Sequence, residues 1–570
     1  MKQYLACIFL LSFLLAVTAH TPQEWKARTI YQILTDRFAR TNGDATPCND
    51  FSNYCGGTFQ GIVNNLDYIK GMGFNAIWIS PVIANNPGGY HGYWAQNLFE
   101  INSNFGTADE LKALVKACHD KDIWVMVDVV ANHMGPKVGN DFSDKVPFND
   151  ASYYHNDIDC SNIDPNNQGQ LETCWLAQLP DLNQDNDFVR SQLLKWITDL
   201  VNDYSLDGLR IDTVPYVSKS FWKDFTDASG VYTVGEVFNG YMPYDAGYEG
   251  PVDGLLNYPF FYSLRSAFQQ YSSMNAFQSY YSGASSVWPD QDVLGNFVDN
   301  HDNARFLYNN GDHVAFKSAL GFTIAAVGIP ITYYGSEQAY GGGNDPKNRE
   351  PLWTNMQKGS DIYNFLATMN NFRTQGQIWN YPQIQRYSDD HFYAFTRGNY
   401  FCAFTNTQEQ QSRPITYHPY AAGTTLCNIF YASDCVTVQN GQFTVTLNSG
   451  EVKVYVPKSE LSKFTKTATK GSNDIFSRLS TKLEQEIEEL QKEITLLQQQ
   501  NKTTPTDSFT IVEDAIKKYV TELENDIKVA KASSPSKTVK EDPFTLVEKE
   551  IEQYLLGLQK EIQQIKAIKA

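Results

Sequence analysis

Short β-branched runs alternating with amphipathic stretches between residues 29 and 368 predict an α/β fold, a (β/α)8 TIM barrel. Three observations carry that expectation. The β-rich runs recur singly rather than as hairpins, as parallel strands with helical crossovers do. Seven of them are clear, and a weaker eighth gives the number at which such a barrel closes. Acidic, His or Arg residues stand at the ends of four of them, where βα loops begin. The full expectation adds a loop-rich domain inserted after the third strand, a C-terminal antiparallel β-sandwich and an appended three-helix region.

At the start, Met1-Lys2-Gln3 carries one positive charge, an apolar run spans Tyr4 to Val17, and Thr18-Ala19 follows. This reads as a secretory signal peptide over residues 1–19, cleaved after Ala19. The run is too short for a membrane span, and no later stretch reaches about 18 uninterrupted apolar residues. The mature chain is therefore expected outside the cell or in a digestive lumen, with no membrane span.

The barrel is expected over 20–133 and 188–380. Its strand candidates are Ile30–Leu34, Ala76–Ser80, Trp124–Val130, Gly208–Ile211, Tyr232–Val237, Asn296–Asp299 and Ile331–Tyr334, with the weaker one at Leu255–Pro259. Thr107–Asp120 and Phe188–Tyr204 have helical periodicity. Residues 134–187 break the alternation and are rich in Asn, Asp, Pro and Gly, which marks the inserted domain. Residues 381–457 read as the β-sandwich, from runs such as His391–Thr396, Tyr400–Thr405 and Gln442–Leu447. A linker at 458–475 leads to 476–570. There, one pattern starts at Phe476, Phe509 and Phe544, with apolar residues at helical spacing. Three such helices suit a bundle or coiled coil, acting as a spacer, self-associating or binding another protein.

The chain has 570 residues and a net charge of −19. From Lys458 onward 18 basic face 19 acidic residues, so almost the whole deficit lies in the body. An acidic body excludes nucleic acid as the natural partner and suits a neutral polysaccharide. Nine cysteines include Cys7 in the leader. Cys48 with Cys55, Cys160 with Cys174, and Cys427 with Cys435 are close enough in sequence to bridge on an exported chain, although eight cysteines allow 105 pairings. Cys118 and Cys402 fall in buried patterns and are expected to be free.

The chemistry is expected at the strand ends. Asp128-Val-Val-Ala-Asn132-His133, Asp207-Gly-Leu-Arg210-Ile-Asp212, Gly235-Glu236-Val237 and Phe297-Val-Asp299-Asn300-His301-Asp302 put carboxylates at one mouth. One such Asp is more often a salt bridge or helix cap. Four together suit retaining glycoside cleavage, which needs a nucleophilic carboxylate about 5–5.5 Å from a protonated one.

These four segments, in this order, resemble the hallmark segments of the α-amylase family (glycoside hydrolase family 13), closest to fungal-type secreted members. The resemblance runs from Trp25 to Pro457. It includes Gly89-Tyr-His-Gly-Tyr93-Trp94 and Gly342-Gly-Asn-Asp345-Pro-Lys-Asn-Arg349. It implies an endo-acting enzyme cutting α-1,4 bonds of starch or glycogen, with Asp212 as nucleophile, Glu236 as acid and base, and Asp302 as stabiliser. It further implies substrate contacts by Tyr93, Trp94, His133, Arg210, Gly240, His301, Asp345 and Arg349. A structural Ca2+ is implied on Asn132, Glu172, Asp181 and Tyr216. Where the family has Lys-His, this chain has Pro215-Tyr216, which removes one substrate contact, and a bridge that fungal members carry after the fifth strand is absent. An α-glucosidase or glucanotransferase would use the same machinery. A non-catalytic glucan-binding scaffold is the rival from another class.

Overall fold

The computed structural model describes residues 20–448 and 450–465. The expected signal peptide, the three-helix region and most of the linker lie outside the described residues. Within them, eight strands form one parallel sheet: β1 Ile30–Ile33, β2 Ala76–Ile79, β3 Trp124–Val129, β4 Gly208–Ile211, β5 Tyr232–Gly235, β6 Gly254–Leu255, β7 Gly295–Phe297 and β8 Ile329–Tyr333. Their order is β6-β5-β4-β3-β2-β1-β8-β7. A parallel bridge from Leu256 to Gly295 and the bond from Asn257 N to Gly295 O (2.8 Å) join the two edges. Barrel closure follows from these contacts.

Strand periodicity decides what faces inward. Trp124 and Met126 of β3 share the barrel-interior cluster with Ile30, Tyr232, Val234, Phe297 and Ile331. Val125, Val127 and Val129 join the cluster that also contains the surrounding helices. Leu209 and Ile211 of β4 do likewise, so Arg210 takes the inward phase. The next inward positions at the strand ends are Asp128, Asp212 and Glu236. The alternation that fills the core thus also aims the polar residues at the mouth.

The two amphipathic stretches are helices Ala108–His119 and Asp187–Tyr204. Thr107 and Glu110 make a reciprocal cap for the first, and the Asn186 side chain caps the second. The reading of Leu255–Pro259 as a strand is corrected. β6 ends at Leu255, and a helix runs over Tyr258–Phe268. The Asn257 side chain accepts from Phe260 N (3.2 Å), and Pro259 sits in the first turn, where a missing N–H costs nothing.

Residues 134–187 hold four-residue helix Gln168–Leu171, short 3₁₀ turns and the Cys160–Cys174 bridge. The bridge His133–Asp181 brings the segment back to the barrel mouth, and Tyr154–Leu182 ties the segment to itself.

The last strands are β9 Gln383–Ser388, β10 Phe392–Arg397, β11 Tyr400–Thr405, β12 Gln411–Ile415, β13 Thr425–Asn428, β14 Cys435–Thr437, β15 Phe443–Leu447 and β16 Lys453–Pro457. They form an antiparallel six-stranded sheet, β9-β10-β11-β16-β13-β14, and a β12-β15 pair. Phe392, Phe401, Ile415, Leu426, Val445 and Tyr455 pack between the two. Tyr393, Phe395, Cys402 and Phe404 join the main core from the other face. Burial on both faces explains why β10 and β11 read as continuous apolar runs.

Disulfides join Cys48–Cys55, Cys160–Cys174 and Cys427–Cys435, and Cys118 and Cys402 are free and buried. Among the described residues, no helix is long and apolar enough to cross a membrane.

Candidate active site

Arg210 organises the mouth of the barrel. Its side chain is 0% exposed and carries a fixed charge that needs partners. Nη1 donates to Asp212 Oδ1 (2.6 Å) and to both oxygens of Asp128 (3.0 and 3.1 Å). Nη2 lies 2.9 Å from Glu236 Oε1. One planar guanidinium therefore holds carboxylates from the ends of β3, β4 and β5. Asp212 and Glu236 sit on its two terminal nitrogens, an arrangement compatible with the separation of about 5 Å used in retaining hydrolysis.

The environment of Glu236 differs from that of a surface carboxylate. The residue is 7% exposed, and its Oε2 accepts from Thr213 N at 3.1 Å. Burial pushes its carboxyl well above the usual range. Arg210 pulls it back in part, and the charges of Asp212 and Asp302 push it up again. Asp302 is more open, with 29% of its side chain exposed. It stands 3.3 Å from His301 Nε2 and 3.7 Å from Arg349 Nη2.

His301 is locked in one tautomer by its neighbours. Gln32 Nε2 can only donate, so Nδ1 of His301 (2.7 Å) accepts and the proton sits on Nε2. Nε2 then donates to Tyr93 Oη (2.7 Å), whose hydroxyl donates to Asp128 Oδ2 at 2.7 Å. Burial and the charges of Arg210 and Arg349 hold the imidazole well below its ordinary pKa, hence neutral. The Tyr93 ring is stacked on His301, with centroids 5.4 Å apart.

The remaining expected contacts surround this group. His133 is buried, with Nε2 3.3 Å from Tyr93 O. Trp94 is half-buried beside His91, ring centroids 5.0 Å apart. Arg349 Nη1 reaches Asp345 Oδ1 and Tyr90 Oη, both at 3.1 Å, and Nε donates to His301 O at 3.1 Å. Arg349 thus leads from Asp302 out to Asp345. Gly240 is exposed on the loop after β5, where a Cβ would stand 3.0 Å from the Tyr262 ring. Asp128, Gln32 and Tyr90 were given no role from sequence. Their signal was parity for the first two: Gln32 is the polar residue at an inward position of apolar β1.

Three of the expected cation donors, Asn132, Asp181 and Tyr216, lie together beside His133. The Asn132 amide nitrogen donates to His133 Nδ1 (3.2 Å), which turns its oxygen toward acceptors alone, 3.0 Å from Asp181 Oδ1 and 3.2 Å from Tyr216 O. A side-chain amide, a carboxylate and a backbone carbonyl thus converge, a donor set suited to a hard cation. Asp181 is buried, its carboxyl is pushed up to about 7 by burial, and its second oxygen is 2.6 Å from His155 Nδ1. A cation would compensate that buried charge. Glu172 is on the adjoining loop, half-buried. Among the described residues no group of three or more His, Cys, Asp or Glu is arranged to hold a metal.

Comparison with known proteins gives consistent relatives. A model of the alpha-amylase catalytic domain matches residues 32–418. An alpha-amylase of Saccharomycopsis fibuligera is 41% identical over 459 residues, 76% of this chain and 92% of that protein. Alpha-amylase 2 of Schwanniomyces occidentalis is 37% identical, over 76% of this chain and 91% of its own length. The structure of an alpha-amylase from Malbranchea cinnamomea superposes with a TM-score of 0.75 at 37% identity, covering 78% of this chain and 99% of that one.

Proposed function

From the premise that this chain belongs to the alpha-amylase family, we propose that it is an endo-acting α-amylase. It hydrolyses internal α-1,4 bonds of starch or glycogen with retention of configuration. The observation that carries the reading is the Arg210 guanidinium shared by Asp212 and Glu236, with Glu236 pushed toward its protonated form.

In this reading Glu236 protonates the glycosidic oxygen as Asp212 attacks the anomeric carbon, and a glucosyl ester forms on Asp212. Arg210 donates to Asp212 Oδ1 and orients the carboxylate for that attack. Glu236, now a carboxylate, then takes a proton from water, which attacks the same carbon and releases Asp212. Asp302 grips sugar hydroxyls while positive charge develops on the ring. His301 donates from its fixed Nε2–H when Tyr93 yields it, and His133 hydrogen-bonds a hydroxyl of the same sugar. Tyr93 and Trp94 supply ring surface, Asp345 and Arg349 bind glucose units on the non-reducing side, and Gly240 lets the acceptor chain pass close to the backbone.

Asn132, Asp181, Glu172 and Tyr216 would hold a Ca2+ between the barrel and the inserted segment, where the ion supplies positive charge that pins the two together. The three disulfides support a secreted protein. Product analysis on soluble starch tests the proposal. A ladder of short linear oligosaccharides is expected; glucose alone, or cyclic or transferred products, would favour an α-glucosidase or glucanotransferase instead.

A further inference from the structure

Gln168, in the inserted segment, reaches both the turn after β4 and the loop after β5. Its Nε2 donates to Glu172 Oε1 (2.8 Å) within the inserted segment and to Pro215 O (2.9 Å) in the turn after β4. Its Oε1 accepts from Tyr244 Oη at 2.9 Å. Tyr244 belongs to the helix Met242–Ala246 on the loop that follows Glu236, the loop that also carries Gly240. One carboxamide thus uses both donor hydrogens and its acceptor, one bond staying within its own segment and two crossing to the turn after β4 and the loop after β5. Two of these partners adjoin expected cation donors: Glu172 is one itself, and Pro215 precedes Tyr216.

The surroundings call for such a link. Pro215 has no N–H to offer, so its carbonyl is the handle by which the turn can be held. No disulfide closes the loop after β5, since the described bridges lie at Cys48–Cys55, Cys160–Cys174 and Cys427–Cys435. Tyr244 Oη also lies 3.3 Å from Tyr248 Oη, and Tyr248 is buried, so the contact reaches the packed base of the loop. Gln168 itself is half-buried, which strengthens its hydrogen bonds relative to an exposed amide.

We infer that Gln168 is a positioning residue: it ties the acceptor-side wall, through Tyr244, to the turn and loop that bear Tyr216 and Glu172. Cation binding and acceptor-side geometry are thereby coupled through one side chain. The inference rests on the α-amylase reading for its substrate and cation, while the three contacts stand independently of it.

The test uses the full-length chain with Gln168→Leu, Tyr244→Phe and the double variant. Two quantities are read in each: the Ca2+ concentration giving half of the thermal stabilisation, and the initial products from a linear seven-unit α-1,4-glucan. Gln168→Leu should need about tenfold more Ca2+, as removal of groups supporting metal ligands commonly does. It should also shift the cleavage position. Tyr244→Phe should give the same product shift with a smaller change in Ca2+ requirement, since Gln168 keeps both donated bonds. The double variant should match Gln168→Leu alone, because both changes cut one link. Wild-type Ca2+ requirement and products in Gln168→Leu, or additive effects in the double variant, would overturn the inference. A wild-type chain unaffected by Ca2+ would sink the cation assignment instead, and the product comparison would still decide for or against the Tyr244 link.

Discussion

Replacing Arg210 with Met should lower kcat/KM by between about 10² and 10⁴. Arg210 stands 2.6 Å from Asp212 and 2.9 Å from Glu236. At an effective dielectric of about 20, a unit charge 2.9 Å away is worth roughly 6 kcal/mol. Relaxation takes part of that, and breaking a buried ion pair typically costs about 3–5 kcal/mol. At about 1.4 kcal/mol per factor of ten, the stated range follows. The pH profile should change in a defined direction. Arg210 opposes the burial that raises Glu236, so its removal leaves Glu236 protonated to higher pH and moves the alkaline limb upward. The assay is kcat/KM on a chromogenic maltooligosaccharide across pH, with circular dichroism to show that the variant is folded. A folded variant with wild-type rates and an unshifted alkaline limb would refute the reasoning.

Asp245 is 1% exposed with neither carboxylate oxygen hydrogen-bonded, and burial pushes its carboxyl from 3.8 up to about 8. A folded-state pKa above the unfolded one contributes stability below about 3.8 that is lost as pH rises through about 8; Asp245→Asn should therefore match wild type in acid and melt a few degrees higher in alkali. Equal alkaline melting temperatures would count against it. Cys160→Ser opens a bridge of sequence separation 14 and should cost about 3 kcal/mol in denaturant unfolding. No loss would show that the inserted segment is held by its other contacts. A chelator should lower the melting temperature of the wild type, and Asp181→Ala should abolish that response; an unchanged response in Asp181→Ala would remove Asp181 from the cation site.

Much of this molecule was legible because the same residues serve packing and chemistry. Gly208–Ile211 was readable to the residue, and the parity of Leu209 and Ile211 already implied where Arg210 points. β6 was over-extended, because Leu255–Pro259 is apolar in composition while local capping by Asn257 and the placement of Pro259 decide for helix. Gln32 and Tyr90 escaped notice since their partners, His301 and Arg349, are 269 and 259 residues away. Gln168 was missed for a similar reason: its role depends on three loops whose approach only the folded chain reveals.

The central claim is that Glu236 delivers the proton while Asp212 attacks. Turnover and starch binding by Glu236→Gln, measured on the same preparation, test it most directly. Gln keeps the size of the side chain but has no proton to give, so kcat should fall by at least about 10²–10⁴ with starch still bound. Wild-type turnover in that variant would contradict the account.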